Sequence, residues 1–393
     1  MIKTFLRFLR LCGLLIIDSI VMLYSSPSNR NRILVIRIDA IGDFILWLDA
    51  AKNIRKLYPK GQYEVVLLGN EIWTSLAEDL PYFDRVCSLN VQRFITNPAY
   101  RYKMLRELRK AGFGVVIQPT FSRVFLTGDA IAHVSGAAEK IAYHGDYSNI
   151  KPWQKRISDR WYTRIITSDN RPLMELERNA EFMRKLGLKD FCADVPELPV
   201  SAPLPKSMRD TDYYVLAPGS GLDMKRWPTS NFVKLAQNVY HATGWMGVIC
   251  GSPGEKILGK MLAEDAGIPM QDWTGHTSLR ELIAIIDGAH LLIGNDTGAV
   301  HIAAAVSTPA VCILGGGHYG RFMPYQLEGD TAKPLPVAVT HKMACFGCNW
   351  RCIYGVPPGE PVPCIKRVSV EAVWKEVLGI LEKGAFNDRQ KTF

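Results

Sequence analysis

The chain has 393 residues, too many for one ordinary hydrophobic core and enough for two domains of typical size. With 48% hydrophobic and 22% charged residues it is a folded globular protein, not a disordered or fibrous one. Its net charge of +9 would attract anionic ligands or a membrane surface, and the absence of a nucleic-acid-binding signature or long Lys/Arg block argues against nucleic acid.

Residues 1–24 read MIKTFLRFLRLCGLLIIDSIVMLY. A bilayer span needs about 20 apolar residues, and an Asp at mid-membrane costs roughly 2.5–3.5 kcal/mol, so Asp18 argues against a span. No small-x-small cleavage site follows Tyr24, which argues against a secretory signal. On a helix, Lys3, Arg7, Arg10 and Asp18 fall along one stripe, while Phe5, Phe8, Leu9, Ile16 and Ile20 lie elsewhere on the circumference. Such a helix suits the plane of an anionic membrane surface or packing on the protein's own body. Residues 25–32 then read as a linker.

From Arg32, Ile33-Leu34-Val35-Ile36 is apolar enough for a strand buried on both faces of a parallel sheet. The helical spacing from Phe44 to Tyr58 stops at Pro59-Lys60-Gly61, and Tyr63–Leu68 and Val115–Gln118 read as further strands. Pro196 to Pro205 holds four prolines in ten residues and forms a stiff connection. A second alternating region follows. Its strands are Tyr213–Leu216, Trp245–Cys250, Leu291–Ile293 and Ala310–Leu314, and its helices Asn231–Tyr240 and Ser278–Ile286. Ser369 is a candidate N-cap for a last helix. The expected division is a leading helix and linker over 1–31, a first Rossmann-like domain over 32–195 and a linker over 196–212. A second Rossmann-like domain with a Cys-rich loop covers 213–368, and a helix and tail cover 369–393.

Three stretches carry the chemistry, each placed where a strand run gives way to a helical pattern, at the strand ends where α/β proteins bind ligands. In Asp39-Ala40-Ile41-Gly42-Asp43, Asp43 can take a proton from an attacking hydroxyl, or it can simply cap the helix that follows. Asp39 competes for the same role. The stretch is not the Gly-x-Gly-x-x-Gly fingerprint of dinucleotide oxidoreductases. In the second stretch, Pro218-Gly219-Ser220-Gly221 can wrap phosphates with amide donors, and Lys225 can neutralise a phosphate leaving group. Arg226 reads equally as a surface charge. In the third, Asp296-Thr297-Gly298 opens a small-residue helix whose free N–H groups form an anion site, with His301 one turn further on. Capping by Asp296 with a core His301 is the alternative.

These stretches resemble the signatures of glycosyltransferase family 9, the heptosyltransferases of lipopolysaccharide synthesis. The resemblance implies a GT-B fold, with two Rossmann-like doubly wound α/β domains facing across a cleft. It also implies inverting, metal-independent transfer of a heptose from a nucleotide sugar, usually ADP-heptose, onto an anionic glycolipid acceptor at the inner face of the cytoplasmic membrane. By that pattern Asp43 is the general base, and Lys225 holds the donor's phosphates with Gly219 and Ser220. Asp296, Thr297, Gly298 and His301 hold the donor's sugar and diphosphate, while Arg123 and Asp39 face the acceptor. Some thirty residues before the first strand depart from the family pattern and suit a membrane-embedded acceptor. A sugar-nucleotide epimerase or a catalytically silent binding protein on the same fold are the rivals.

Five of the nine cysteines are scattered; Cys345, Cys348, Cys352 and Cys364 cluster. Four thiols suffice for a structural zinc or iron site, though the spacing is not that of a zinc ribbon. Family relatives carry similar clusters, and one branch uses them to hold iron. Free thiols and disulfides are the alternatives. No cofactor is expected in catalysis.

Overall fold

Two stretches of buried hydrophobic residues, Ile33–Ile36 and Tyr213–Leu216, form the inner strands of two separate sheets. The computed structural model describes residues 2–27, 29–169, 172–329, 331 and 333–391, with side chains described from 9 to 383. It contains two units, one of residues 1–171 with 178–193 and the other of residues 172–177 with 194–393.

In the first unit the strands are β1 (Arg32–Arg37), β2 (Glu64–Asn70), β3 (Arg85–Leu89), β4 (Val115–Gln118), β5 (Glu139–Tyr143) and β6 (Arg164–Ile166). They pair in parallel in the order β3-β2-β1-β4-β5-β6. In the second they are β7 (Tyr213–Ala217), β8 (Met246–Ile249), β9 (Met270–Asp272), β10 (Leu292–Asn295), β11 (Ala310–Ile313) and β12 (Val337–Val339), in the order β12-β11-β10-β7-β8-β9. Counted from its own first strand, each sheet runs 3-2-1-4-5-6, the doubly wound order. Each therefore has one switch point, between β1 and β4 and between β7 and β10, where successive connections depart to opposite sides. A crevice opens there beyond the carboxyl ends of the strands.

The sequence pattern finds the central strands and misses the edge strands β3, β6, β9 and β12 and the strand β5 next to an edge. Those are short and partly exposed; β3, Arg-Val-Cys-Ser-Leu, has only Leu89 buried. Such strands lack the doubly buried apolar run that marks a central parallel strand. Ser369 does cap the last helix, Val370–Lys391: its Oγ accepts from the Ala372 amide at 3.2 Å.

The N-terminal helix Ile2–Met22 packs on the helix Pro98–Ala111 within the first unit. Asp18 is buried in that contact, with both carboxylate oxygens 2.6 Å from the Arg101 guanidinium. Asp18 thus lies on the packed face beside Leu14 and Val21, and does not continue an outward basic stripe. The side chains of Lys3 and Arg7 lie outside the described residues. Arg10 is exposed and donates to the Ile95 carbonyl at 2.7 Å. The opposite face shows Leu9, Ile16, Ile20 and Leu23 to solvent. Among the described residues, no helix is long and apolar enough to cross a membrane.

Candidate active site

In the first unit the switch point is built around β1. The chain leaves β1 through Ile38-Asp39-Ala40 and enters the helix Ile41–Leu57 at once. The helix N-cap is Ala40, which has no side-chain capping bond, and Asp43 stands in the first turn. Asp43 is therefore not the cap that its position also suggested. A carboxylate there sits near unsatisfied backbone N–H groups and the positive end of the helix dipole. The turn is held firmly. Arg37, almost fully buried, donates from Nη2 to the Asp43 carbonyl at 3.0 Å and pairs with the Asp39 carboxylate at 3.0 Å. Trp73 Nε1 donates to the Asp39 carbonyl at 2.9 Å, and its ring stacks on Phe44.

Asp39 is already engaged. Its Oδ2 accepts from Thr120 Oγ1 at 2.9 Å, a bond that crosses the switch point from β4 to β1, and is ion-paired with Arg37. Asp39 and Asp43 thus both stand at the turn that follows β1.

Arg123, expected to face an acceptor, is occupied elsewhere. It is 1% exposed, pairs with Asp129 at 3.3 Å and with Asp159, and lies over the Tyr162 ring. Burial alone would lower its pKa, but Asp129, Tyr162 and Asp159 outweigh that and raise it. This arginine is a charge at the centre of a buried network, not a surface contact for a saccharide.

In the second unit the site forms where β7 and β10 end side by side. The loop after β7 holds Pro218, Gly219 and Ser220, and a short turn Asp223–Lys225 follows. A Cβ on Gly219 would lie 2.0–2.4 Å from the Glu255 carboxylate, so only glycine fits. Asn295, the fully buried last residue of β10, joins the two stretches. Its Nδ2 donates to the Pro218 carbonyl at 2.7 Å and its Oδ1 accepts from the Trp227 amide at 3.1 Å. Asn295 had no role assigned from the sequence; an asparagine at the end of an apolar strand was the available signal.

Next to it, the helix Gly298–Ala305 starts from Thr297 as N-cap, in extended backbone and without a side-chain capping bond. Asp296 is therefore not the cap. Asp296, Thr297 and Gly298 are half-buried. The first N–H groups of this helix are open to an anion. His301 is buried, with Nδ1 3.0 Å from the Tyr325 hydroxyl, and burial pushes its pKa down to about 4. At neutral pH it gives a diphosphate no ionic partner. Lys225 is half-buried, and Arg226 forms a local pair with Asp223 at 2.8 Å, the surface reading of that residue.

His318, which the sequence did not single out, marks where these groups converge. Burial lowers its pKa, Lys225 lowers it further and Asp296 raises it, so both charges lie within electrostatic reach of one imidazole. Beside it the four late cysteines line one small apolar pocket with Trp350 and Tyr354. All nine cysteines are free thiols. Among the described residues no group of three or more His, Cys, Asp or Glu is placed to hold a metal ion. The expected zinc or iron site at Cys345, Cys348, Cys352 and Cys364 is thus not formed as a ligand set. Three of these thiols are half-buried and Cys364 is buried, where burial first and the neighbouring thiols next raise its pKa.

Two six-stranded, doubly wound parallel sheets form the GT-B fold. Residues 125–333 match Glycosyltransferase family 9 (heptosyltransferase), and the chain belongs to that family. Lipopolysaccharide heptosyltransferase 3 of Escherichia coli K12 is 27% identical over 159 residues, 38% of this chain and 46% of that protein. That match spans about half of the relative's length. A second Escherichia coli protein of the same name is 21% identical over 296 residues, 72% of this chain and 83% of its own.

Among solved structures, the family 9 glycosyl transferase of Veillonella parvula superposes with a TM-score of 0.66 at 18% identity, covering 91% of this chain and 98% of that one. Escherichia coli heptosyltransferase WaaC, solved with ADP-2-deoxy-2-fluoro heptose, gives a TM-score of 0.61 at 16% identity, covering 88% and 99%. The iron-containing heptosyltransferase TibC gives 0.56 at 14% identity, covering 91% and 78%.

Proposed function

We propose that this protein transfers a heptose from a nucleoside-diphosphate donor, ADP-heptose in the first instance, to an anionic lipopolysaccharide or related envelope glycan, with inversion and without a cofactor. The observation that carries the reading is the pair of switch points. One presents Asp43 in the first turn of a helix, and the other has Lys225 after β7 and the open N–H groups of a second helix start after the paired strand β10. Asp43 takes the proton of the acceptor hydroxyl as its oxygen attacks the anomeric carbon. The bond to the diphosphate breaks on the opposite face, and Lys225 with the Gly298 and Ala299 amides stabilises the charge that develops on the leaving group. One displacement inverts the anomeric centre. Gly219, Ser220, Asp296 and Thr297 shape the donor pocket, and neutral His301 packs beneath it. The choice of ADP-heptose is supported by the ligand of the WaaC structure.

The location follows from the donor and from the N-terminal helix. Nucleotide sugars are used in the cytoplasm, and a lipid-linked acceptor places the reaction at the inner face of the cytoplasmic membrane. Leu9, Ile16, Ile20 and Leu23 form an exposed apolar stripe on the helix Ile2–Met22 and its C-terminal extension, and Lys103, Arg106 and Lys110 are exposed in the same unit. An exposed apolar stripe on a helix of a basic protein suits a seat on an anionic bilayer.

The test is incubation with ADP-heptose and a phosphorylated core acceptor, with the product analysed by mass and anomeric configuration. Acceptor-dependent release of ADP with inversion is the expected result. Tight ADP binding without transfer would make this a silent sugar-nucleotide-binding protein, and a changed sugar without acceptor would make it an epimerase.

A further inference from the structure

We propose that Trp350, carried by the cysteine-rich loop, is a positioning residue for Lys225 and thereby for the donor's diphosphate. The inference rests on Lys225 being the phosphate-binding lysine of the reading above. The Lys225 ammonium lies 4.3 Å from the centroid of the Trp350 ring, a cation–π contact between the donor loop and a residue 125 positions further along the chain.

The backbone around Trp350 is arranged to put that ring there. Asn349 and Trp350 both adopt left-handed conformations, with φ of 50° and 59°, which a bulky residue takes only when its surroundings impose it. Three consecutive glycines after β11 provide the seat. A Cβ on Gly317 would lie 2.4 Å from the indole of Trp350, one on Gly315 2.7 Å from it, and one on Gly316 2.1 Å from Phe346. The loop is also bonded to this seat, with the Gly347 amide donating to the Gly316 carbonyl at 2.8 Å and the Asn349 amide to the Gly317 carbonyl at 2.9 Å.

His318 braces the arrangement. Its Nε2 lies 2.5 Å from Asn349 Oδ1, and its ring meets the Trp350 indole edge to face. Trp350 Nε1 is buried without a hydrogen-bond partner among the described residues. The indole is therefore placed by packing and not steered by its polar edge, and its π face is what it offers.

Lysine is a point charge on a flexible four-carbon stem, and fixing it on a ligand costs rotamer entropy. An aromatic face that already holds the ammonium reduces that cost and raises affinity for the anion. Filling space would require only the volume of the indole; positioning requires its π electrons.

The experiment uses the full-length protein with ADP as the probe, titrated calorimetrically, and then steady-state kinetics with ADP-heptose. Trp350→Leu is expected to weaken ADP binding and raise donor KM by about tenfold, with acceptor KM unchanged and the melting temperature retained. Trp350→Phe, which keeps a π face, is expected to restore most of the loss. In a Lys225→Ala background, Trp350→Leu is expected to cost little more, because the partner is gone. Equal losses in the Leu and Phe variants, or an undiminished loss in the Lys225→Ala background, would overturn the positioning role and leave the donor site intact. A wild-type protein that binds no ADP would instead overturn the donor-site reading, and this inference with it.

Discussion

Asn295 and Pro218, 77 residues apart in sequence, are tied by a 2.7 Å hydrogen bond from the asparagine amide to the proline carbonyl at the switch point of the second sheet. The same side chain accepts from the Trp227 amide, so one fully buried residue fixes both the donor loop and the strand end beside it. The first sheet uses the same device, with Thr120 on the β4 side bonded to Asp39 on the β1 side.

Removing the Asn295 amide should therefore damage stability and donor binding together. Asn295→Ala leaves a carbonyl and an amide unsatisfied in a buried position, at roughly 1–3 kcal/mol for each group. The expected result is a lower denaturation midpoint and ADP affinity reduced more than tenfold. Urea unfolding and ADP titration read the two effects separately.

Asp18 makes a similar prediction for the N-terminal helix. Its ion pair with Arg101 is buried, and deleting one partner leaves an uncompensated guanidinium, at a cost of about 3–5 kcal/mol. Asp18→Ala should loosen the helix Ile2–Met22 from the first unit and expose it to limited proteolysis. Asp18→Ala together with Arg101→Leu should recover a large part of the lost stability. A double variant as unstable as the single one would contradict the account.

The outer face of that helix should bind membranes. Ile16→Glu with Leu23→Glu removes apolar area and adds negative charge at two exposed positions. Sedimentation with vesicles containing anionic lipid should fall several-fold while the melting temperature stays unchanged. Binding by the wild type should weaken at high salt, as expected where cations contribute.

His301 gives the fold a pH dependence of definite sign. Burial lowers its pKa from the usual 6.5 to about 4, so protons bind the unfolded chain more readily than the folded one. The stability contributed by its neutral form is complete above pH 6.5. It is lost as the pH falls from about 6.5 through 4, by roughly 3 kcal/mol in all. His133, also lowered to about 4 by burial, acts in the same direction in the first unit. His301→Asn should flatten the loss of stability between pH 6.5 and 4 and leave the slope from His133. Unfolding curves at half-unit pH intervals test this.

The sequence made the sheet centres and the three ligand-facing turns legible for one reason: parallel strands buried on both faces read as uninterrupted apolar runs, and their ends carry glycine, aspartate and serine. Lys225 and the turn Asp296-Thr297-Gly298 follow β7 and β10, which pair side by side in the second sheet. What the sequence concealed depends on partners distant in the chain. Arg123 looked like an acceptor contact until Asp129, Asp159 and Tyr162 were seen around it. The contacts of Asp39 with Arg37 and Thr120 likewise had no trace in the local sequence. Trp350 had no local signature, because its left-handed backbone and its glycine seat become visible only when the loop is folded onto β11. The run Gly315-Gly316-Gly317 was the one trace of that close approach.

The central claim is that Asp43 removes the acceptor's proton while the second unit holds the donor. The most direct measurement is the transfer rate of Asp43→Ala and Asp43→Asn at saturating ADP-heptose, alongside their affinity for ADP. The account predicts ADP affinity within about twofold of wild type and transfer reduced by about 10²–10⁴-fold in both variants. Transfer by Asp43→Ala at close to the wild-type rate would contradict it.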